Sequence, residues 1–146
     1  MGIIRFFSEG TDFSIYHPKK TSSWIKSVLI QEKKPAFEIN YIFCTDKYLL
    51  DLNKDFLSHN TLTDIITFDN STKAGVIEAD IYISIERVID NTNKFKVSFD
   101  EELHRVLIHG VLHLIGFKDK NPTQKARMRK KEEACLSLRK QVSRGT

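Results

Sequence analysis

Cysteine, proline, glycine and tryptophan are all scarce in this chain of 146 residues, at two, three, six and one residues respectively. The two cysteines, Cys44 and Cys135, stand far apart, so they form neither a disulfide framework nor the paired spacing of a cysteine zinc site. With so little proline and glycine, and no serine-rich tract, no linker divides off a second domain. Internal repeats and low-complexity segments are also missing. No run approaches the roughly 18–20 apolar residues that span a bilayer. The opening stretch Ile3-Ile4-Arg5-Phe6-Phe7 is too short for a signal-peptide core, and no small-residue cleavage site follows it. Together these absences lead to the expectation of one soluble domain over residues 1–146, with 141–146 a fraying tail. A reducing cytoplasm is the expected compartment, and no membrane partner is expected.

What is present is ordinary for a globular protein: 40% hydrophobic and 29% charged residues, with a net charge of +4 and a pI near 9.0. The basic excess is uneven. From Lys118 to Thr146 there are ten Lys or Arg against three acids, Asp119, Glu132 and Glu133. Such a cluster suits a phosphate backbone, although on charge alone a solvated helix face is the commoner explanation.

Hydrophobic periodicity predicts an α+β fold, a small mixed sheet packed with helices. A strand is expected near Ile3–Phe7 and a helix near Ser22–Lys34, where Trp24, Ile25, Val28 and Leu29 recur at helical spacing before Pro35. Ile39, Tyr41 and Phe43 alternate as a strand. Tyr48, Leu49, Leu52 and Phe56 follow a helical period behind a Thr45 or Asp46 cap. Thr63–Phe68 is β-branched and aromatic, and Val76–Ile85 alternates cleanly, both strand signals. Ser98 followed by Glu101 is a capping box opening a helix that carries Leu103, Val106, Leu107 and Leu114. Asn121 and Pro122 start the last helix, with proline where no amide proton is needed.

The stretch richest in chemistry is His109-Gly-Val-Leu-His113-Leu-Ile-Gly116-Phe-Lys-Asp119. Four helical residues amount to about 40° of rotation and one turn of rise, so His109 and His113 project side by side. Gly116 suits the helix end, and reversal there brings Asp119 back toward the pair as a third ligand. A helical histidine pair alone is more often structural than metal-binding. The neighbouring helix end, glycine and carboxylate tip the reading to metal. Two imidazoles, one carboxylate and an open fourth position match a catalytic zinc ion, with non-haem iron(II) or another divalent ion as the rival. The expected arrangement is a zincin-like metal site on a central helix. A zincin protease would carry its glutamate base directly after the first histidine, where this chain has Gly110.

The same stretch resembles the central motif of the YbeY family of bacterial endoribonucleases. Leu52-Asn53 followed by Thr63-Asp64-Ile65-Ile66-Thr67-Phe68 is similar to a second family stretch, and Ala79-Asp80-Ile81-Tyr82-Ile83-Ser84 to a third. The order and spacing of all three agree over most of the chain. Three departures stand out. The family usually ends its central motif Asp-His where this chain has Lys118-Asp119. It commonly has Arg where Leu57 follows Phe56, and Gly where Ala79 stands. If that Arg meets a phosphate, its role here is vacant or passes to a neighbour such as His59 or Lys54.

The resemblance implies a single-strand-specific, zinc-dependent endoribonuclease acting in ribosomal RNA maturation and ribosome quality control. Its partners would be single-stranded or ribosomal RNA and the ribosome or ribosomal proteins. One zinc ion would sit on His109, His113 and Asp119, with His59, Thr63 and Asp64 as further cleft residues. Lys125, Arg127, Arg129, Lys130 and Lys131 are the expected positions for the RNA backbone. Arg105, one turn before His109, is left outside the site. Two alternatives stay open: a metalloprotease-like hydrolase, and a non-catalytic ribosome-assembly factor whose metal staples the fold.

Overall fold

Period-two alternation builds four strands into one sheet, and period-3.6 stripes build the helices that cover it. The structure, a computed structural model, describes residues 2–57 and 63–144. In chain order the elements are β1 (Gly2–Ser8), α1 (Pro18–Gln31), β2 (Ala36–Cys44), α2 (Asp46–Leu57), β3 (Ile65–Asp69), β4 (Val76–Ser84), α3 (Ile85–Phe95), α4 (Phe99–Leu114) and α5 (Pro122–Arg144). The α+β expectation holds. The sheet order is β1-β2-β4-β3. β1, β2 and β4 run parallel, and β3 pairs antiparallel on the β4 edge, with Ile65 opposite Ile83 and Thr67 opposite Ile81.

That register gives the sheet two unlike faces. Ile39, Tyr41 and Phe43 of β2 line up with Ala79, Ile81 and Ile83 of β4 and face the main core. Trp24, Ile25, Val28 and Leu29 of α1 enter it, as do Leu103, Val106, Leu107 and Val111 of α4. Fully burying each such aliphatic side chain contributes about 1.5–3 kcal/mol. Two polar handles inside this core are satisfied by main chain. Trp24 Nε1 donates to Cys135 O at 2.8 Å, and the Tyr41 hydroxyl donates to Leu107 O at 2.8 Å. The other face carries a smaller cluster of Cys44, Leu49 and Ile66, with Leu52, Phe68 and Tyr82 against it.

Boundaries moved where local chemistry was subtler than periodicity. α1 starts at Pro18 rather than near Ser22, because proline at the first helical position costs no hydrogen bond. It stops early too: Lys33 takes φ 61°, and the Lys34 amide bonds back to Leu29 O at 2.9 Å. α2 has the expected Thr45 cap, whose hydroxyl accepts from the Tyr48 amide at 3.2 Å. Ser98 caps α4 as its pattern required, accepting from the Glu101 amide at 3.0 Å.

Helix α4 places the site, and one residue sets its depth. A Cβ at Gly110 would lie 3.0 Å from Ile65 Cδ1 and 3.1 Å from Ile81 Cδ1. Glycine there lets the helix settle close over the β3–β4 edge. No helix among the described residues is long and apolar enough to cross a membrane.

Candidate metal centre

The last turn of α4 ends in a Schellman motif. The Phe117 amide donates to Leu112 O and the Gly116 amide to His113 O, with Gly116 at φ 110°. A side chain would be strained at that φ, so glycine is what allows the chain to double back. The reversal delivers Asp119 to the histidine pair. Asp119 Oδ2 lies 3.3 Å from His109 Nε2 and 3.3 Å from His113 Nε2. The two rings sit 4.6 Å apart in an edge-on arrangement. Asn121 caps the following helix, its Oδ1 accepting from the Gln124 amide at 2.8 Å. The loop between α4 and α5 is therefore fixed at both ends.

These three residues suit a small divalent cation. Their ligand atoms all lie within 4.8 Å of one another. Tetrahedral bonds of about 2.0–2.1 Å set neighbouring ligand atoms about 3.3 Å apart, which is the separation of Asp119 from each ring. The donor set of two imidazole nitrogens and one carboxylate oxygen is that of an ion with a coordination position left over. The side chains of His109, His113 and Asp119 are 21%, 35% and 39% exposed, so the remaining position faces the opening.

The opening is a cleft of about 650 Å³ between α4 and β3, bordered by Asn53, Thr63, Asp64, Thr67, Asp69 and the triad. Thr63 and Asp64 thus join the histidines, as the sequence suggested. Asp64 receives a hydrogen bond from Asn91 Nδ2 at 3.2 Å. Burial pushes its carboxyl above the ordinary carboxylate range, opposed in part by the nearby His109. His59 lies outside the described residues, as do its neighbours from 58 to 62. Among the described lining residues are three aspartates and neither lysine nor arginine. A phosphodiester entering this cleft meets net negative charge unless a cation is bound at the triad.

Two residues that pack behind the histidine pair escaped the sequence reading. Arg105, left outside the site, is buried and bonds Glu132 at 3.2 Å and Glu133 at 2.6 Å. Glu132, counted only as a stray acid in a basic helix, lies 2.6 Å from His109 Nδ1. A signal existed for it. Glu132 falls on the stripe of α5 that also holds Met128, Cys135 and Leu136, and a charge at a core position requires a partner. Burial pushes the His109 imidazolium down, but the hydrogen bond and charge of Glu132, with Asp119 and Asp64, outweigh it and leave the net shift upward.

The basic positions of α5 divide. Lys125, Arg127, Arg129 and Lys130 are exposed. Lys131 is instead tied to Glu32, just past the end of α1, at 2.8 Å and lies over the Phe117 ring. Lys54 is exposed on α2. No structure is described for the side chain of Leu57.

Comparisons with known proteins agree with one another. The family model described as endoribonuclease YbeY matches residues 7–139. A protein of Cytophaga hutchinsonii named endoribonuclease YbeY is 51% identical over 94% of this chain and 96% of its own length. One from Flavobacterium psychrophilum with the same name is 51% identical over 90% of this chain and 94% of its own. The solution structure of a Thermotoga maritima protein superposes with a TM-score of 0.66 at 25% identity, covering 98% of this chain and 93% of that one. On the strength of these matches, over the fold and the cleft just described, the chain belongs to the endoribonuclease YbeY family.

Proposed function

We propose that this protein is a single-strand-specific, zinc-dependent endoribonuclease of ribosomal RNA maturation and ribosome quality control, working in the cytoplasm. The observation that carries the reading is the triad: two imidazole nitrogens at 3.3 Å from one Asp119 oxygen, at the rim of an open cleft without lysine or arginine among its described lining residues. A zinc ion bound there would supply Lewis acidity toward a phosphoryl oxygen and lower the pKa of a bound water. His109, His113 and Asp119 would hold it. Asp64, its carboxyl raised by burial at the cleft wall, would accept or return a proton during cleavage. Thr63 and Asn53 offer neutral polar groups to the sugar or phosphate. Lys125, Arg127, Arg129 and Lys130 would take the RNA backbone beyond the cleft without reading its sequence. Ribosomal RNA and the ribosome are the proposed partners through the family resemblance.

The rival readings lose ground on particular residues. A protease base directly after His109 is missing, since position 110 is glycine, and a Cβ there would already press on Ile65 and Ile81 at 3.0–3.1 Å. A purely structural metal would be enclosed, whereas this triad is up to 39% exposed. The deciding experiment is elemental analysis and RNA cleavage on the wild type and His113→Ala, both purified without added metal. Near-stoichiometric zinc, with chelator-sensitive cutting of single-stranded RNA, is expected of the wild type alone. Equal cutting by both proteins, or cleavage of casein in place of RNA, would overturn the reading.

A further inference from the structure

A carboxylate buried on the core stripe of a helix costs several kcal/mol unless its charge and lone pairs are met. Glu132 is 5% exposed, between Met128 and Leu136, which are 2% and 7% exposed. Both of its oxygens are engaged, and with different partners. Oε1 accepts from Arg105 NH1 at 3.2 Å, and Oε2 lies 2.6 Å from His109 Nδ1. Arg105 is itself buried and clamped, bonding Glu133 at 2.6 Å and lying 3.9 Å from Glu101. Arg105 and His109 stand four apart on α4, so one turn of helix presents guanidinium and imidazole to the same carboxylate.

An imidazole has two nitrogens, and the neutral ring carries its proton on only one. With Nδ1–H given to Glu132, the lone pair falls on Nε2, the nitrogen that faces Asp119 and His113 Nε2. The hydrogen bond also fixes rotation of the ring about its own axis, so the lone pair is aimed as well as present. His113 is built differently. Its recorded neighbours are Asp119 and the His109 ring, and among the described residues no carboxylate stands behind it.

We propose that Glu132 is a positioning residue for metal binding: held by Arg105, it selects the Nδ1–H tautomer of His109 and aims Nε2 at the ion. The inference rests on the metal reading of the triad. Through this unit α5 takes part in the metal centre without supplying a ligand. The two imidazoles are therefore unequal, His109 pre-set by the fold and His113 set by the ion itself. A partner that orients a ligand histidine typically accounts for 10–100-fold in metal affinity.

The test uses Glu132→Gln, which keeps an acceptor oxygen without the charge, and Glu132→Ala, which keeps neither. Three quantities are read on the full chain: the zinc Kd by competition with a chromophoric chelator, the His109 tautomer in zinc-free protein by long-range proton–nitrogen NMR at mildly alkaline pH, and the zinc-free melting temperature. The expected result is a wild-type His109 protonated at Nδ1. In Glu132→Ala the tautomers mix and zinc binds roughly 10–100-fold more weakly. Glu132→Gln should recover part of both effects. If the alanine chain does not fold, the glutamine chain decides alone. Zinc affinities within twofold of wild type, with His109 still protonated at Nδ1, would overturn the proposal. If the wild type takes up no zinc, the metal reading falls separately, and the tautomer comparison still decides the role of Glu132.

Discussion

Helix α4 has two flanks built on opposite rules. Toward α5 it is closed: Arg105, Glu132, Glu133 and His109 are joined by contacts of 2.6–3.2 Å, with charge opposite charge. Toward β3 it is open, onto a cleft of about 650 Å³ where Asp64, Asp69 and Asp119 have no arginine or lysine facing them among the described lining residues. On one flank each acid is matched by a base, while on the other the aspartates meet neutral donors such as Asn91 and the Ser71 amide and leave their negative charge facing the cleft. The histidines sit on the line between, which is where a rigid support and an accessible ligand can coexist.

Breaking the open flank should give the largest effects. Asp119→Ala removes one proposed ligand without touching the core, so zinc content should collapse and kcat on single-stranded RNA should fall at least about 100-fold, equivalent to roughly 2.7 kcal/mol of transition-state stabilisation. The zinc-free melting temperature should be unchanged. Loss of stability with activity intact would show the two flanks to be misassigned.

Asp64→Asn comes next, and it should act in opposite directions on activity and stability. If Asp64 moves a proton, kcat drops about 100-fold. Stability follows the sign of its shift. The folded chain holds this proton more tightly than the unfolded chain, whose ordinary value is 3.8. Zinc-free protein therefore loses stability as pH rises from about that value through the raised one, and the loss persists above it. Asn cannot ionise, so its melting temperature should stay flatter across that window and stand higher at neutral pH. Calorimetry between pH 4 and 8 would show either outcome.

Gly110→Ala tests how closely the helix sits on the sheet between the flanks. Its methyl must displace the tips of Ile65 and Ile81, at a cost of about 1–2 kcal/mol. The zinc-free melting temperature should fall by about 3–8 °C. An unchanged value would mean that α4 does not need this close approach.

The smallest effects belong to the outer surface of α5. Replacing Lys125, Arg127 and Lys130 together by Glu should raise KM for RNA several-fold at low salt, leave kcat alone, and fade as salt rises. Lys131→Ala should behave unlike them. It removes a contact with Glu32, so a shift in melting temperature of a degree or two is expected, with little change in KM.

The sequence was legible wherever the cause is local. The strand alternation, the caps at Thr45, Ser98 and Asn121, the reversal at Gly116 and the histidine spacing all act within a few residues. Residues brought together by tertiary packing were harder to read. Asn53 and Thr67 reach the cleft only because α2 and β3 meet beside α4, which no window of sequence contains. Glu132 read as solvent charge because its core stripe is short and crowded by Arg129, Lys130 and Lys131. Arg105 was left outside the site because its partners lie 27 and 28 positions further on.

The order of these elements along the chain also sets a timetable. Among the described residues β3 has β4 as its only strand partner, and β4 comes later in the sequence, so the cleft wall waits for residues 76–84 to emerge during synthesis. The triad follows, and the carboxylate that aims His109 follows the triad, on α5. Since domains gather non-local contacts as translation proceeds, a nascent chain holds a nearly finished sheet well before it can hold an ion. An unfinished copy stalled before α5 would therefore carry all three triad residues with His109 not yet held from behind, and should bind zinc roughly 10–100-fold more weakly than the finished chain.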